Sequence, residues 1–324
     1  MKSVTASFFC MNPAIIKDIY SPAQTNRLKE LCNLTPDVFS TQDVEAGKLS
    51  ETDVLFSTWG MASFTDEQLE KMPNLKAVFY AAGATDSFCH PLFRKQIQLF
   101  SAWKANSIPV AEFTVAQITL GLKNYFQMLR FMKDPQTYSA CNRAAGCGMY
   151  GARVALLGNG MISQHVQALL KSYDVEIIVI PSHPSARTIS LEEAFATSQV
   201  VSNHFPNRDD NGGVFNGKLF ESMHPGAVFI NTGRGCQINE PEMIKVLKKR
   251  PDLTVLLDVT WPEPPKADSP LYSLPNVFLS PHIAGSLHDE WHRMADYMID
   301  DFERWIKGEV TQNAVDPKKI ITAK

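Results

Sequence analysis

Three polar residues follow apolar, strand-like stretches in the C-terminal half of the sequence: Arg234, Glu263 and His282. A histidine can exchange a proton near neutral pH, because the ordinary pKa of an imidazole is about 6.5. A neighbouring carboxylate fixes such a ring and favours its protonated form. The planar guanidinium of an arginine matches a carboxylate group. The three residue types together indicate acid–base chemistry on a molecule that bears a carboxylate.

Each of these three residues alone has an ordinary structural explanation. A histidine after a strand is usually a surface or hydrogen-bonded residue, an arginine between glycines is usually solvated, and a glutamate among prolines is usually exposed. Their order favours a site, because each one follows a predicted parallel strand. Open α/β sheets bind their ligands at the C-terminal ends of such strands.

A glycine turn in the stretch VALLGNGMISQH joins a predicted strand to a predicted helix. Gly158 permits the tight turn, and Gly160 lets the backbone approach a pyrophosphate. The charge of that group would lie on the N–H groups that open the helix, at Met161 and Ile162. Ser163 stands where such turns usually carry a third glycine, and it is small enough for helix–strand contact. Together with Asn159, these residues predict a dinucleotide-binding turn, although a single motif of this kind is weak evidence.

The stretches around the turn alternate between strand-like and helix-like patterns. The strand-like stretches are rich in Val, Ile and Leu without strict alternation, which is typical of strands buried on both faces. The alternation predicts a doubly wound parallel sheet, and its strand number is that of a dinucleotide-binding sheet. The predicted strands are 153–157, 175–180, 199–203, 227–231, 253–257 and 277–280. The predicted helices between them are 161–172, 190–197, 214–223 and 240–249.

The first hundred residues contain a second, smaller α/β pattern. Strands are predicted at 53–57 and 76–80, with Thr65 capping a helix between them. Apolar residues at steps of three and four predict one long helix over 108–132.

Two further segments are predicted toward the C-terminal side of that long helix. The composition of 133–151 favours a loop or linker. Ser286 and Asp289 have the spacing of a capping box and predict the start of a last helix, which Gly308 ends.

The composition is that of an ordinary globular protein. A chain of 324 residues favours two domains. Its 31 basic and 34 acidic residues give a net charge of −3, so nothing favours nucleic acid or an anionic membrane as a partner. No apolar run reaches membrane-spanning length, and no secretory signal is predicted. The six cysteines form no CxxC pair, which predicts neither disulfides nor a metal site and favours the cytoplasm.

The acidic residue that usually binds the adenosine ribose of NAD is missing. Pro181 stands at the expected position, about 20 residues after the glycine turn. Ser182, His183 and Arg187 could accept the 2′-phosphate of NADP. Glu176 or a backbone group could instead serve NAD, so the sequence leaves both cofactors open.

The sequence resembles the D-isomer-specific 2-hydroxyacid dehydrogenase family over nearly its whole length. Besides the glycine turn, the resembling stretches are LKAVFYAAGATD, NSIPVAEFTVAQITLGL, LFESMHPGAVFINTGRG and SPHIAG. The resemblance implies a Rossmann-type doubly wound sheet over 103–287. It also implies a smaller, flavodoxin-like α/β substrate domain, built from 1–102 and 288–324.

The resemblance also implies an activity and a site. The activity is hydride transfer between NAD(P)H and C2 of a small 2-keto acid, which gives a D-2-hydroxy acid. Arg234 would bind the substrate carboxylate, His282 would exchange the proton, and Glu263 would pair with His282. Further cofactor contacts are implied at Thr114, His204, Phe205, Pro206, Thr232, Gly233, Asp258 and Gly285, with Asp258 holding the nicotinamide carboxamide. Substrate contacts are implied at Trp59, Gly60, Ala82, Gly83 and Ala84.

The resemblance leaves the assembly and the substrate less defined. Substrate would lie between the two domains, and two chains would pair as a homodimer through the cofactor domain. The stretch around Trp59 has no Arg or Lys, which argues against a phosphorylated substrate. Glyoxylate, hydroxypyruvate, pyruvate, branched 2-keto acids and phosphohydroxypyruvate stay open, and the last is the least favoured.

A rival function uses the same scaffold. Transcriptional corepressors that resemble these dehydrogenases sense nucleotides and retain the Arg, Glu and His. A Rossmann methyltransferase would leave those three residues unexplained.

Overall fold

The computed structural model describes residues 4–143 and 146–319, which form two compact units. The first unit contains the chain up to Ser107 and again from Ser286, and the second unit runs from Ile108 to Gly285. Residues 1–3 and 320–324 of the predicted substrate domain, and residues 144–145 of the predicted loop, lie outside the described residues. Within the described part of the chain, no helix is both long and apolar enough to cross a bilayer.

The first unit contains a five-stranded sheet in which every strand pairs in parallel. Its strands are β1 Thr5–Phe9, β2 Asn33–Phe39, β3 Val54–Ser57, β4 Ala77–Tyr80 and β5 Gln98–Ser101. Their order β2-β1-β3-β4-β5 is the flavodoxin-like order, so the predicted fold of this unit is confirmed. The sequence patterns had indicated only β3 and β4. The edge strand β2 contains a proline and is nowhere fully buried, so it lacks the apolar signal of a central strand.

The second unit contains a six-stranded parallel sheet, which confirms the predicted Rossmann-type fold. Its strands are β6 Ala152–Leu157, β7 Val175–Ile180, β8 Val200–Asn203, β9 Val228–Asn231, β10 Thr254–Leu257 and β11 Val277–Leu279. Their order is β11-β10-β9-β8-β6-β7. Apolar clusters cover both faces of this sheet, with Phe195 and Phe229 in one cluster and Ile118 and Ile230 in the other. Burial on both faces explains why these strands show no alternation of polar and apolar residues.

Helices connect the strands of both sheets. They are α1 Pro13–Ile19, α2 Pro22–Leu31, α3 Thr41–Glu45, α4 Asp66–Glu70, α5 Cys89–Arg94, α6 Trp103–Leu122, α7 Tyr125–Phe131, α8 Pro135–Arg143, α9 Met161–Leu170, α10 Leu191–Thr197, α11 Gly217–Ser222, α12 Glu240–Leu247 and α13 Asp289–Lys307. The predicted cap of α4 is confirmed, because the Thr65 side chain accepts a hydrogen bond from the N–H of Gln68.

The prediction of one long helix over 108–132 is wrong. The segment contains α6, which already begins at Trp103, and the separate α7. Asn124 breaks the helix with a left-handed backbone (φ 56°), and its N–H donates to the carbonyl of Gly121. Asparagine tolerates this conformation better than most residues, so a periodicity that ignores backbone dihedrals missed the break.

The prediction of a loop over 133–151 is wrong in part, because α8 occupies residues up to Arg143. The side chain of Asp134 accepts the N–H of Thr137, which supports the start of this helix.

The predicted capping box at the start of α13 is also wrong. The N-cap residue is His288, which has a positive φ of 47° and no side-chain cap bond. The Glu290 side chain instead accepts the N–H of Leu287, and the carbonyl of Ser286 accepts the indole N–H of Trp291. The predicted end of the helix at Gly308 is confirmed by its left-handed φ of 71°.

Candidate active site

The glycine turn lies between β6 and α9 and has little room for side chains. Gly158 has a φ of 109°, and a Cβ placed on it would lie 2.5 Å from the carbonyl oxygen of His204. Only glycine fits such a position without strain. Gly160 is the N-cap residue of α9, and no atom lies within 4 Å of a Cβ built there. Its backbone is therefore accessible to a ligand, while Ser163 is fully buried.

The sheet order places this turn at a switch point. From β6 the chain continues to β7 on one side and then to β8 on the other side. At such a point a crevice lies outside the C-terminal ends of the strands, here those of β6 and β8. Gly158 and the carbonyl of His204 are in close contact at these two strand ends. Open α/β sheets bind their ligands at such a point.

Polar atoms around the crevice fit a dinucleotide. The first N–H groups of a helix have no acceptor within it, and in α9 these belong to Met161 and Ile162 and their neighbours. Among the described residues, Nδ1 of His204 and Oγ1 of Thr232 are buried without a hydrogen-bond partner. Buried polar atoms are normally satisfied, so these two atoms are suited to a polar ligand.

His204 is held as a neutral imidazole. Its Nε2 lies 2.9 Å from Oγ of Ser202, and burial lowers the pKa of His204 to about 4. Phe205 and Pro206 continue this loop, and the N–H of Phe205 donates to Oδ1 of Asn203 over 3.0 Å.

The residues after β7 form a compact polar loop. Arg187 donates from Nε to the carbonyl of Pro181 over 2.9 Å and from Nη2 to the carbonyl of Ser182 over 2.8 Å. His183 is exposed, and its Nδ1 lies 2.8 Å from Oγ of Ser185. Burial lowers the pKa of Arg187, and the charge of nearby Arg208 adds to this effect.

Glu176 is not placed to bind a ribose at the glycine turn. It lies near the beginning of β7 and forms an ion pair with Arg153. Four residues of strand, or about 13 Å, separate it from Ile180 at the other end. This removes the carboxylate that the sequence had left open for NAD.

Asp258 organises the loop after β11. Its side chain is buried, and Oδ1 accepts hydrogen bonds from Oγ of Ser280 over 2.6 Å and from the N–H of Ile283 over 2.9 Å. Oδ2 accepts the N–H of Ala284 over 3.0 Å. These bonds fix the backbone on both sides of His282.

His282 and Glu263 are in direct contact. His282 Nδ1 lies 2.6 Å from Oε1 of Glu263, with the side chains 53% and 40% exposed. The N–H of His282 donates to the carbonyl of Asp258, and its φ of 54° is unusual for a residue with a side chain. A pocket of about 480 Å³ borders the pair. The ring therefore has one nitrogen held by the carboxylate and the other left for a ligand.

Arg234 lies on the neighbouring loop. Its Nη1 donates to the carbonyl of Gly233, and in residues 4–143 and 146–319 no ion pair involves its guanidinium. A Cβ on Gly235 would overlap the backbone of Thr260, so this loop packs directly against the chain after β10.

The sheet register brings these loops to one edge. Leu257 aligns with Asn231 on one side and with Leu279 on the other. The loops that follow β9, β10 and β11 are therefore neighbours, and they carry Arg234, Glu263 and His282.

Thr114 and Gly285, two other predicted cofactor contacts, also lie in the second unit. Thr114 is fully buried in α6, and its hydroxyl donates to the carbonyl of Val110 over 2.7 Å. Gly285 is partly buried and directly follows Ala284.

The predicted substrate residues Trp59, Gly60, Ala82, Gly83 and Ala84 all lie in the first unit. The Trp59 ring meets the Trp291 ring edge to face, with centroids 6.3 Å apart, and Gly60 has a φ of 98°. The N–H of Ala82 donates to Tyr80, whereas those of Gly83 and Ala84 have no acceptor among the described residues.

Sequence reasoning missed three buried side-chain amides beneath the Arg234 loop, those of Asn203, Asn231 and Gln237. The available signal was a polar residue directly at the end of an apolar strand, in Val200–Asn203 and again in Val228–Asn231. Their hydrogen bonds join residues far apart in the sequence, so the partners could not be assigned from it.

Comparisons with known proteins agree with this fold. The family model described as "D-isomer specific 2-hydroxyacid dehydrogenase, NAD binding domain" matches residues 115–284. Glyoxylate/hydroxypyruvate reductase B of Cronobacter sakazakii is 28% identical, over 91% of this chain and 94% of that protein. D-mandelate dehydrogenase of Rhodotorula graminis superposes with a TM-score of 0.80 at 17% identity, covering 97% of this chain and 98% of that chain. The TT0316 protein of Thermus thermophilus superposes with a TM-score of 0.76 at 20% identity, covering 97% and 100%.

Proposed function

This chain belongs to the D-isomer-specific 2-hydroxyacid dehydrogenase family, and we propose that it transfers a hydride between NADH or NADPH and C2 of a small 2-keto acid, giving a D-2-hydroxy acid. The observation that carries the proposal is the 2.6 Å contact between His282 and Glu263. This pair lies at the same edge of the sheet as the Gly158 turn and the Arg234 loop.

The proton that completes reduction comes from His282 in this proposal. Glu263 accepts the Nδ1–H of His282, which leaves Nε2 to donate to the substrate oxygen. A positioned general acid of this kind contributes about 10²–10⁴-fold to the rate. When bound, the nicotinamide supplies the hydride.

Arg234 binds the substrate carboxylate in this proposal. A guanidinium can donate two parallel hydrogen bonds to a carboxylate. None of the ion pairs in the described chain occupies it, which leaves it available.

The residues present fit a nicotinamide dinucleotide. Gly158, Asn159, Gly160, Met161 and Ile162 would hold the pyrophosphate, and Ser182 and His183 would face the adenosine ribose. Oδ2 of Asp258 accepts one hydrogen bond in the described chain, which leaves a lone pair for a carboxamide N–H. The remaining proposed cofactor contacts are Thr114, His204, Phe205, Pro206, Thr232, Gly233 and Gly285.

The proposal assigns cofactor binding to residues 103–287 and substrate recognition to 1–102 and 288–324. Within the latter, Gly83 and Ala84 offer free N–H groups for a carboxylate. Trp59, Gly60 and Ala82 complete the proposed set of substrate residues.

The family and its relatives favour oxidoreduction over the corepressor-like alternative. One relative is named as a glyoxylate/hydroxypyruvate reductase, and a protein of the same fold is named as a D-mandelate dehydrogenase. We propose the same class of substrate for this chain, namely small 2-keto and 2-hydroxy acids, and we propose no single compound.

The proposal includes a homodimer that works in the cytoplasm. Apolar side chains are exposed along α6, α7 and the start of α8, among them Tyr125, Leu129, Phe131 and Tyr138. A contiguous exposed apolar surface commonly marks a protein interface.

All six cysteines are free thiols, which suits a reducing compartment. Light scattering after size exclusion tests the dimer, and cell fractionation tests the compartment.

The deciding experiment measures the reaction directly. The purified chain is supplied with NADH or NADPH and with glyoxylate, hydroxypyruvate, pyruvate, branched 2-keto acids or phosphohydroxypyruvate. We expect loss of the reduced-nicotinamide absorbance with at least one unphosphorylated acid and a D-configured product wherever C2 becomes chiral. Absence of turnover with every pair would overturn the proposal.

A further inference from the structure

Three side-chain amides form a buried cluster beneath the Arg234 loop. Asn203 and Asn231 are 0% exposed and Gln237 is 1% exposed. Nδ2 of Asn203 donates to Oδ1 of Asn231 over 2.8 Å and to Oε1 of Gln237 over 2.6 Å. Asn203 and Asn231 end the adjacent strands β8 and β9 in matching register. We call these three residues the amide cluster.

The amide cluster holds the backbone on both sides of the Arg234 side chain. Oδ1 of Asn231 accepts the N–H of Gly233 over 3.0 Å, and its Nδ2 donates to the carbonyl of Arg234 over 3.1 Å. A Cβ on Gly233 would lie 2.7 Å from Nδ2 of Asn203, so the loop sits closely on the cluster. The peptide groups that flank the guanidinium stem are therefore fixed from below.

The amide cluster also holds the loop after β8. Nε2 of Gln237 donates to the carbonyl of Pro206 over 2.8 Å and to that of Phe205 over 3.3 Å. Oδ1 of Asn203 accepts the N–H of Phe205 over 3.0 Å. Both loops bordering the proposed site are thus tied together through side chains that are themselves out of solvent.

We infer that Asn203 and Gln237 are positioning residues for the reaction, which act through the Arg234 loop and touch no substrate. This inference rests on the proposed function. Buried amides are tolerated only when they are hydrogen bonded, and every amide group of the cluster has a partner. A leucine in place of Asn203 would fill a similar space but would release Asn231, Gln237 and the Phe205 N–H together.

The expected effect follows from the sensitivity of catalysis to position. A displacement of about 1 Å in a substrate-binding group can lower a rate by about 10²-fold. Because the hydrogen bond from Asn231 to Arg234 survives in an Asn203 variant, the displacement should be smaller. We therefore expect Asn203→Leu to lower kcat/KM for the keto acid by roughly tenfold or more.

Asn276 offers a matched control for loss of a buried amide. It is 1% exposed, and its Nδ2 donates to the carbonyls of Leu247 and Arg250 over 3.2 and 3.0 Å. It directly precedes β11, at the opposite edge of the sheet from the site. Asn276→Leu should lower Tm, as Asn203→Leu does, and leave kcat/KM within about twofold of the wild type.

The test compares the wild type, Asn203→Leu and Asn276→Leu by kcat, by KM for the keto acid, by cofactor affinity from fluorescence titration, and by Tm. Gln237→Met is measured in the same way as a second cluster variant, and it decides the test if Asn203→Leu does not fold. We expect both cluster variants to lose kcat/KM for the keto acid. Cofactor affinity should fall less than kcat/KM does, because Asn231 of the cluster binds the peptide groups beside Arg234 directly, whereas no hydrogen bond in the described chain joins the amides to the Gly158 turn.

Each result is decisive. An active wild type with normal kcat/KM in both cluster variants overturns the inference and leaves the proposed function standing. An equal loss of kcat/KM in Asn276→Leu would mean that the amide cluster only stabilises the fold, which also overturns the inference. An inactive wild type contradicts the proposed function itself.

Discussion

Replacing His282 with alanine should abolish most of the turnover without affecting cofactor binding. In this structure Nδ1 of His282 is held by Glu263, so the substitution removes both the proton donor and the only described hydrogen-bonding partner of that carboxylate. A positioned general acid is worth about 10²–10⁴-fold, which corresponds to about 3–5 kcal/mol of activation free energy. We expect a loss of kcat in this range for keto acid reduction.

Glu263→Gln should lower kcat less than His282→Ala does. The amide oxygen can still accept the Nδ1–H, but the negative charge is lost. Since the two side chains are 53% and 40% exposed, solvent screens the charge and reduces its effect. A loss of about tenfold in kcat, or about 1.4 kcal/mol, is expected. Because Glu263 acts through His282, adding Glu263→Gln to His282→Ala should change kcat little further.

Initial rates with saturating NADH or NADPH measure these losses, and fluorescence titration measures cofactor affinity in the same variants. Near-normal turnover in His282→Ala would refute the assigned role. Fully additive losses in the double variant would refute the claim that the carboxylate acts through the imidazole.

Three further perturbations test the cofactor site. Pro181→Asp should shift the ratio of the kcat/KM values for NADH and NADPH toward NADH by at least about tenfold, because a carboxylate repels a 2′-phosphate and can bind ribose hydroxyls. Pro181→Asn is the uncharged control, and an equal shift in that variant would contradict the electrostatic reason. Gly158→Ala should lower the free energy of unfolding by about 3 kcal/mol, since its φ of 109° and the 2.5 Å approach of the His204 carbonyl leave no room for a Cβ. Gly160→Ala, where the space is open, should lower the free energy of unfolding by less than about 1 kcal/mol. Equal losses of both variants in urea denaturation would contradict this packing. The pKa of His204 is lowered to about 4 in the folded chain, below the ordinary value of about 6.5, so the unfolded state binds more protons between these values and stability falls as the pH drops through them. At pH 5 the expected loss is about 2 kcal/mol relative to pH 7, and urea denaturation of His204→Gln should lack that component.

Local patterns in the sequence identified the elements of the second unit well. Strands β6 to β11 are mostly apolar, and Gly158 and Gly160 mark the turn between β6 and α9. Such signals depend on residues a few positions apart, so they can be recognised without knowledge of the fold. The same reasoning failed at Asn124 and at Ser286, where a single backbone dihedral or a competing partner decided the local structure.

The sequence by itself determined the residue types available for chemistry and their order behind successive strands: Arg234, Glu263 and His282. The catalytic and binding roles of these residues stay predictions. Only the tertiary structure decided which groups meet. Examples are the carbonyl of His204 at Gly158, the carboxylate of Glu263 at His282, and the side chains of Asn231 and Gln237 at Asn203. The physical reason is that these contacts join residues 19 to 46 positions apart, and their partners are selected by strand order and register, which no local pattern encodes.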